Sequence, residues 1–251
     1  MYNKLIVLLF CLILLIVYVQ TNTEPFTEQV PAIILMRHGE ELSKGPPGPD
    51  REYKFKDPVQ DDVDHVLSIK LSSDRQTLNP TADYGIKDAK TLLKRLQSKM
   101  SKYKPIDTIF TINPLPTNND YPTTNPFLTA YYVIYGESGD TPTPQSLSNI
   151  KLTLFDSKLP NVGKDGCKNP DISPENIYKY INNTKNSVLI IGTRDTIWGP
   201  AGSSTPSTDA LISQYLTSAE MKNAVLPAKA RTAFVISGPD KNKLEVLDIV
   251  R

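Results

Sequence analysis

Arg37 and His38 close an apolar run, Ile33-Ile34-Leu35-Met36, and are followed by Gly39-Glu40-Glu41. A guanidinium is a planar fork of donors that matches phosphate oxygens and stays charged at any working pH. The imidazole beside it exchanges a proton near neutrality. In open α/β sheets, ligands gather outside the carboxyl ends of the strands, so a charged pair at the end of such a run is placed for chemistry rather than packing. The expected ligand is a phosphate. Glu40 and Glu41 follow closely enough to serve in proton transfer. The other histidine, His65, lies in the acidic run Asp62-Val63-Asp64, which reads as a solvated loop. That setting favours an imidazolium and would make His65 a substitute cation if the loop swung in. No second group of ligands at diagnostic spacing accompanies these aspartates, so no metal is expected and no cofactor is implied.

The elements that must position these groups are read from hydropathy. Ala32 to Met36 is apolar throughout, as in a strand buried on both faces. Ser43 to Asp64 carries many turn residues and charges and is expected to be a surface loop. Asp83 is expected to open a helix with Ile86, Ala89, Leu92, Leu93 and Leu96 on one face. Thr108 to Ile112 follows as a second strand at βαβ spacing, stopped by Asn113-Pro114-Leu115-Pro116, which makes the sheet partly parallel. From Pro114 to Ser148 the chain reads as loop, interrupted by a short helix over Pro126 to Tyr135. Further strands are expected at Ile150 to Phe155, Val188 to Ile191, Ala233 to Ile236 and the alternating Leu244, Val246 and Ile249. Helices are expected from Ser173-Pro174-Glu175 and over Asp209 to Lys222.

The chain has 251 residues, 39% of them hydrophobic, and a net charge of +1, enough for one sizeable core and without the field that would recruit nucleic acid. Leu5 to Val19 is an unbroken apolar run preceded by Lys4 and followed by Gln20-Thr21-Asn22. Val19-Gln20-Thr21 is a poor cleavage context, so residues 1–21 are read as a transmembrane anchor, with secretion after signal cleavage as the alternative. Residues 22–31 are then a linker and 32–251 the domain. Lys4 before the run and Glu24 and Glu28 after it place the domain on the non-cytoplasmic side. Cys11 and Cys167 offer no disulfide within the domain, and Asn182-Asn183-Thr184 is a glycosylation acceptor if the domain enters a secretory lumen.

Four segments in order carry a resemblance to a known family. These are Arg37-His38-Gly39 after its strand, Leu78-Asn79-Pro80 with Gly85 and Ala89, Ile106-Asp107-Thr108-Ile109-Phe110-Thr111-Ile112-Asn113-Pro114-Leu115, and Val188-Leu189-Ile190-Ile191-Gly192. Over Ala32 to Trp198 the chain resembles the histidine phosphatase superfamily, the phosphoglycerate-mutase-like fold. The resemblance implies an α/β three-layer sandwich with a mostly parallel central sheet. It also implies that His38 is the nucleophile that takes up a phosphoryl group and that Arg37 is its phosphate fork. Where the family carries a second arginine, this chain has Pro116-Thr117-Asn118-Asn119. Where the family carries a second histidine, this chain has Thr193-Arg194-Asp195. Arg194 can hold a phosphate oxygen there but does not give up its proton near neutral pH.

The resulting expectation is a membrane-anchored, catalytically impaired histidine-phosphatase-like protein. It would bind a phosphorylated small molecule or phosphoprotein through Arg37, His38 and Arg194, with His38, Arg37 and Glu40 as the catalytic candidates. The alternative is an active phosphomonoesterase working through a phosphohistidine at His38. The Pro/Thr-rich stretch 114–148 falls where the family varies its substrate-covering segments.

Overall fold

The computed structural model describes residues 12–13, 29–42, 50–56, 66–72, 76–78, 85–114, 124–136, 150–155, 184–199, 210–216, 232–238 and 243–249. In chain order the strands and helices are β1 (Ile33–Arg37), β2 (Arg51–Lys56), β3 (Val66–Leu71), α1 (Ile86–Lys99), β4 (Ile106–Ile112), α2 (Asn125–Tyr135), β5 (Lys151–Phe155), β6 (Ser187–Gly192) and α3 (Arg194–Ile197). A 3-10 turn (Leu211–Gln214), β7 (Thr232–Ser237) and β8 (Lys243–Asp248) complete the order.

The fold is α/β. Its main sheet has six strands in the order β5-β4-β6-β1-β7-β8. The first four are mutually parallel, β7 runs antiparallel to β1, and β8 runs antiparallel to β7. The carboxyl ends of β5, β4, β6 and β1 therefore meet at one edge of the sheet. β1 lies between β6 and β7, which accounts for its residues being apolar on both faces.

Alternation along β1 and β6 divides the core in two. Ile34, Met36, Leu189 and Ile191 face the layer of α1 and α2, whereas Ile33, Leu35, Val188 and Ile190 face Ile197, Trp198 and Leu211. α1 buries Ala89, Leu92, Leu93 and Leu96 and half-buries Ile86, the stripe expected of an amphipathic helix. It begins after Gly85 with no side-chain cap and ends at Met100, with Lys99 favourably placed in its last turn. Asp83, expected to open it, lies outside the described residues. α2 has Pro126 in its first turn, buries every residue from Asn125 to Ile134, and stops at Gly136. Gly136 takes φ 69° and donates to the Tyr132 carbonyl at 3.1 Å.

Two expectations need correction. The segment Ser43 to Asp64 is not simply a surface loop, because it contains β2, which pairs antiparallel with β3 as a separate two-stranded sheet. In Arg51-Glu52-Tyr53-Lys54-Phe55-Lys56 the apolar Tyr53 and Phe55 alternate with charges and are buried against α2, Glu52 and Lys54 are exposed, and Arg51 lies over the rings of Tyr53 and Tyr132. The helix expected over Asp209 to Lys222 is, in its described part, a 3-10 turn. Ala210, Leu211 and Ile212 are buried in it, against Ile197 and Trp198.

Two further expectations lie outside the described residues: the helix from Ser173, and the anchor over residues 1–21 apart from Leu12 and Ile13, which are helical and exposed. No helix among the described residues is long and apolar enough to cross a membrane. The chain approaches β1 at the sheet edge opposite the carboxyl ends. There Val30 bridges Tyr103 in parallel register, the Lys104 N–H donates to the Val30 carbonyl at 3.0 Å, and the Gln29 side chain donates to the Ser101 carbonyl at 2.7 Å.

Candidate anion site at the carboxyl edge

The register of β1 and β6 sets Arg37 beside Gly192. The His38 N–H donates to the Gly192 carbonyl at 2.9 Å, so the ladder runs one residue beyond the strand and carries His38 into the edge. Three attachments then fix the loop. Gly39 donates its N–H to Thr129 Oγ1 of α2 at 2.9 Å, and that hydroxyl donates to the Asn125 carbonyl at 2.8 Å. Leu42 donates to the Thr77 carbonyl, and Glu41 and Leu78 form an antiparallel bridge. A loop held by backbone bonds on both sides presents its side chains with little freedom left to lose.

His38 is 3% exposed. Its Nδ1 lies 2.7 Å from the Gly39 carbonyl oxygen. A carbonyl only accepts, so Nδ1 carries the hydrogen and Nε2 is left with its lone pair. Burial pushes the imidazole below its ordinary value, the Gly39 hydrogen bond opposes that, the Arg37 guanidinium lowers it further and the Glu41 carboxylate raises it. The net shift is downward, so the ring is neutral at neutral pH. Facing Nε2 at 3.5 Å is Glu41 Oε1, on a side chain 52% exposed.

Across the ladder, β6 ends at Gly192, where space for a side chain is tight. A Cβ there would lie 3.2 Å from Ile197 Cγ1 and 3.4 Å from Thr196 Cβ. Thr193 caps α3 by accepting the Thr196 N–H on Oγ1 at 3.1 Å. This turn sets the backbone of Arg194, whose carbonyl accepts from Trp198 at 2.7 Å and from Gly199 at 3.1 Å. The Arg194 side chain is half-buried, and its Nε is buried without a hydrogen-bond acceptor among the described residues. Thr111 Oγ1, one residue before the end of β4, is also buried without a partner among the described residues.

Of the residues singled out in the sequence, Arg37, His38 and Arg194 come to this one edge. Glu40 is half-buried, and the carboxylate at Nε2 is that of Glu41. Thr111 is the single hydroxyl within the apolar stretch Ile109-Phe110-Thr111-Ile112, near the end of β4. β4 is followed by Asn113-Pro114, and residues 115–119, including Pro116-Thr117-Asn118-Asn119, lie outside the described residues. So do His65, Asp62, Asp64, Cys11, Cys167 and Asn182. No group of three or more metal-binding side chains occurs among the described residues. No family model matches this sequence, and no curated protein or solved structure matches it.

Proposed function

We propose that this protein is a histidine-phosphatase-like domain with an impaired catalytic pocket, which binds a phosphorylated small molecule or phosphoprotein at the carboxyl edge through Arg37, His38 and Arg194. The observation that carries the reading is the state of His38. It is buried, held through Nδ1 by the Gly39 carbonyl, and offers the lone pair of Nε2 beside Arg37 at the end of an interior strand. Such a nitrogen suits either contact with a phosphorus centre or attack on it. Apolar clusters on both faces of the sheet fit the three-layer sandwich that belongs to the same reading.

Impairment follows from composition. The chain has two histidines, so a second imidazole beside His38 has to come from His65 or from nowhere. Arg194 neutralises charge but does not deliver a proton to a leaving oxygen. Each preorganised donor lost from such a site costs about 10² to 10³ in rate. Lacking both the second arginine and the second histidine, the pocket holds an anion better than it turns one over.

A second reading, an active phosphomonoesterase acting through a phosphohistidine at His38, is favoured by the same Nε2 lone pair. Phosphate release from a set of phosphomonoesters, measured for the full chain and for His38→Ala, separates the two. Robust release that disappears in His38→Ala would overturn the impaired reading in favour of the enzyme. Absence of release, with binding of inorganic phosphate that weakens in Arg37→Ala, is the expected result.

The proposal includes Leu5 to Val19 as a membrane anchor with the domain on the non-cytoplasmic side, on the strength of its apolar length and the charges flanking it. Retention of the chain in carbonate-washed membranes and its protection from protease in intact microsomes are expected. Release into the soluble fraction would favour the secreted alternative.

A further inference from the structure

We infer that the Glu41 carboxylate is a built-in occupant of the anion site, seated where the phosphate of a ligand has to arrive and displaced when it does. The inference rests on the anion-site reading above and adds how that site is kept closed to weak ligands.

Three observations carry it. First, Nδ1 of His38 is committed to the Gly39 carbonyl at 2.7 Å, so an incoming phosphorus centre can meet only Nε2. Second, Glu41 Oε1 already stands 3.5 Å from Nε2. Reacting atoms poised for attack are about 3–3.5 Å apart, so the carboxylate oxygen fills the approach that a phosphoryl group would use. Third, the backbone of Glu41 is fixed, by its bridge to Leu78 and by the neighbouring Leu42 N–H on Thr77, whereas its side chain is 52% exposed. The carboxylate is thus delivered to Nε2 by a held backbone on a side chain with room to swing into solvent.

The electronic state of the pair makes the contact displaceable. With the hydrogen on Nδ1, Nε2 is an acceptor, and an ionised carboxylate is an acceptor too. No hydrogen bond links them until a proton arrives, so the held backbone sets the carboxylate beside the ring without bonding it there. A phosphate dianion entering the site meets a like charge and must turn it out, which lowers its affinity. Glu41 thereby sets a threshold: a ligand whose remaining parts make contacts elsewhere on the protein displaces it, and free phosphate does so poorly.

Calorimetric titration of the full chain with inorganic phosphate tests this on the unaltered protein, Glu41→Gln and His38→Ala. The glutamine keeps the shape and loses the charge. Glu41→Gln is expected to bind phosphate roughly tenfold more tightly, equivalent to about 1.4 kcal/mol, and His38→Ala more weakly than the unaltered chain. Because the side chain is half in solvent, the glutamine variant should fold normally, checked by the unchanged emission of Trp198. Phosphate binding of equal or lower affinity in Glu41→Gln would overturn the role of Glu41 and leave the anion site standing. No binding by any of the three would overturn the anion site itself, and the inference with it.

Discussion

Acidification should weaken this fold through one imidazole. His38 is 3% exposed, and burial is the largest influence holding its folded-state value below the ordinary 6.5. The unfolded chain therefore binds a proton that the native chain refuses, and stability rises with pH. Above about pH 6.5 the contribution is complete, because neither state is protonated there. As the pH falls through 6.5 towards the folded-state value it is lost, with a limiting slope of about 1.4 kcal/mol per pH unit for a single group. Below the folded-state value the curve flattens again. Urea unfolding between pH 5 and 7.5, followed by the emission of Trp198, the chain's only tryptophan, measures this directly. His38→Gln supplies the reference: it keeps a polar side chain of similar length but does not titrate. Ionisable groups away from His38 contribute equally to both proteins and cancel in the difference, which reads the His38–Glu41 site alone. The unaltered chain should lose stability faster than His38→Gln as the pH drops below 6.5. Parallel curves, or a steeper loss in the variant, would refute the burial argument and with it the neutral Nε2 on which the site depends.

Other substitutions probe the supports of the site. Gly192→Ala puts a Cβ at 3.2 Å from Ile197 Cγ1 in a packed layer, and should cost about 1–3 kcal/mol in urea unfolding while weakening phosphate binding as α3 shifts. Thr129→Val removes the acceptor of the buried Gly39 N–H and should cost about 1–3 kcal/mol, with faster hydrogen exchange at Gly39 as the direct readout. Trp198→Ala empties a fully buried position stacked on Phe234 at 5.5 Å and should cost about 3–5 kcal/mol by thermal unfolding.

Uniformly apolar runs proved easy to read. Ile33 to Met36 and Val188 to Ile191 have no polar face to present, so interior strands of a parallel sheet are the structures that accommodate them, and β1 and β6 lie side by side. The anion-site candidates came from residue type, and the parallel register explains why Arg37 and Arg194, far apart in the chain, reach one edge. The hairpin of β2 and β3 is hard to see in sequence because its apolar residues are separated by charges, which give the segment the composition of a surface loop. Tyr53 shows what that composition conceals: its hydroxyl bonds to Gln76 at 2.7 Å and meets Tyr132 at 3.3 Å, inside a cluster of aromatic rings. The roles of Glu40 and Glu41 were not separable in sequence either. Which carboxylate meets Nε2 depends on a bridge to Leu78, a contact between distant segments that no local pattern encodes.

The clamp of Gln29 and Val30 onto Ser101, Tyr103 and Lys104 gives the domain a heading. It fixes the N-terminal approach at one end of β1, and His38 stands at the other, five strand residues away, a distance of about 16 Å along the strand. Gln29 and His38 thus lie at opposite poles of β1. The candidate site and the N-terminal approach therefore do not crowd one another.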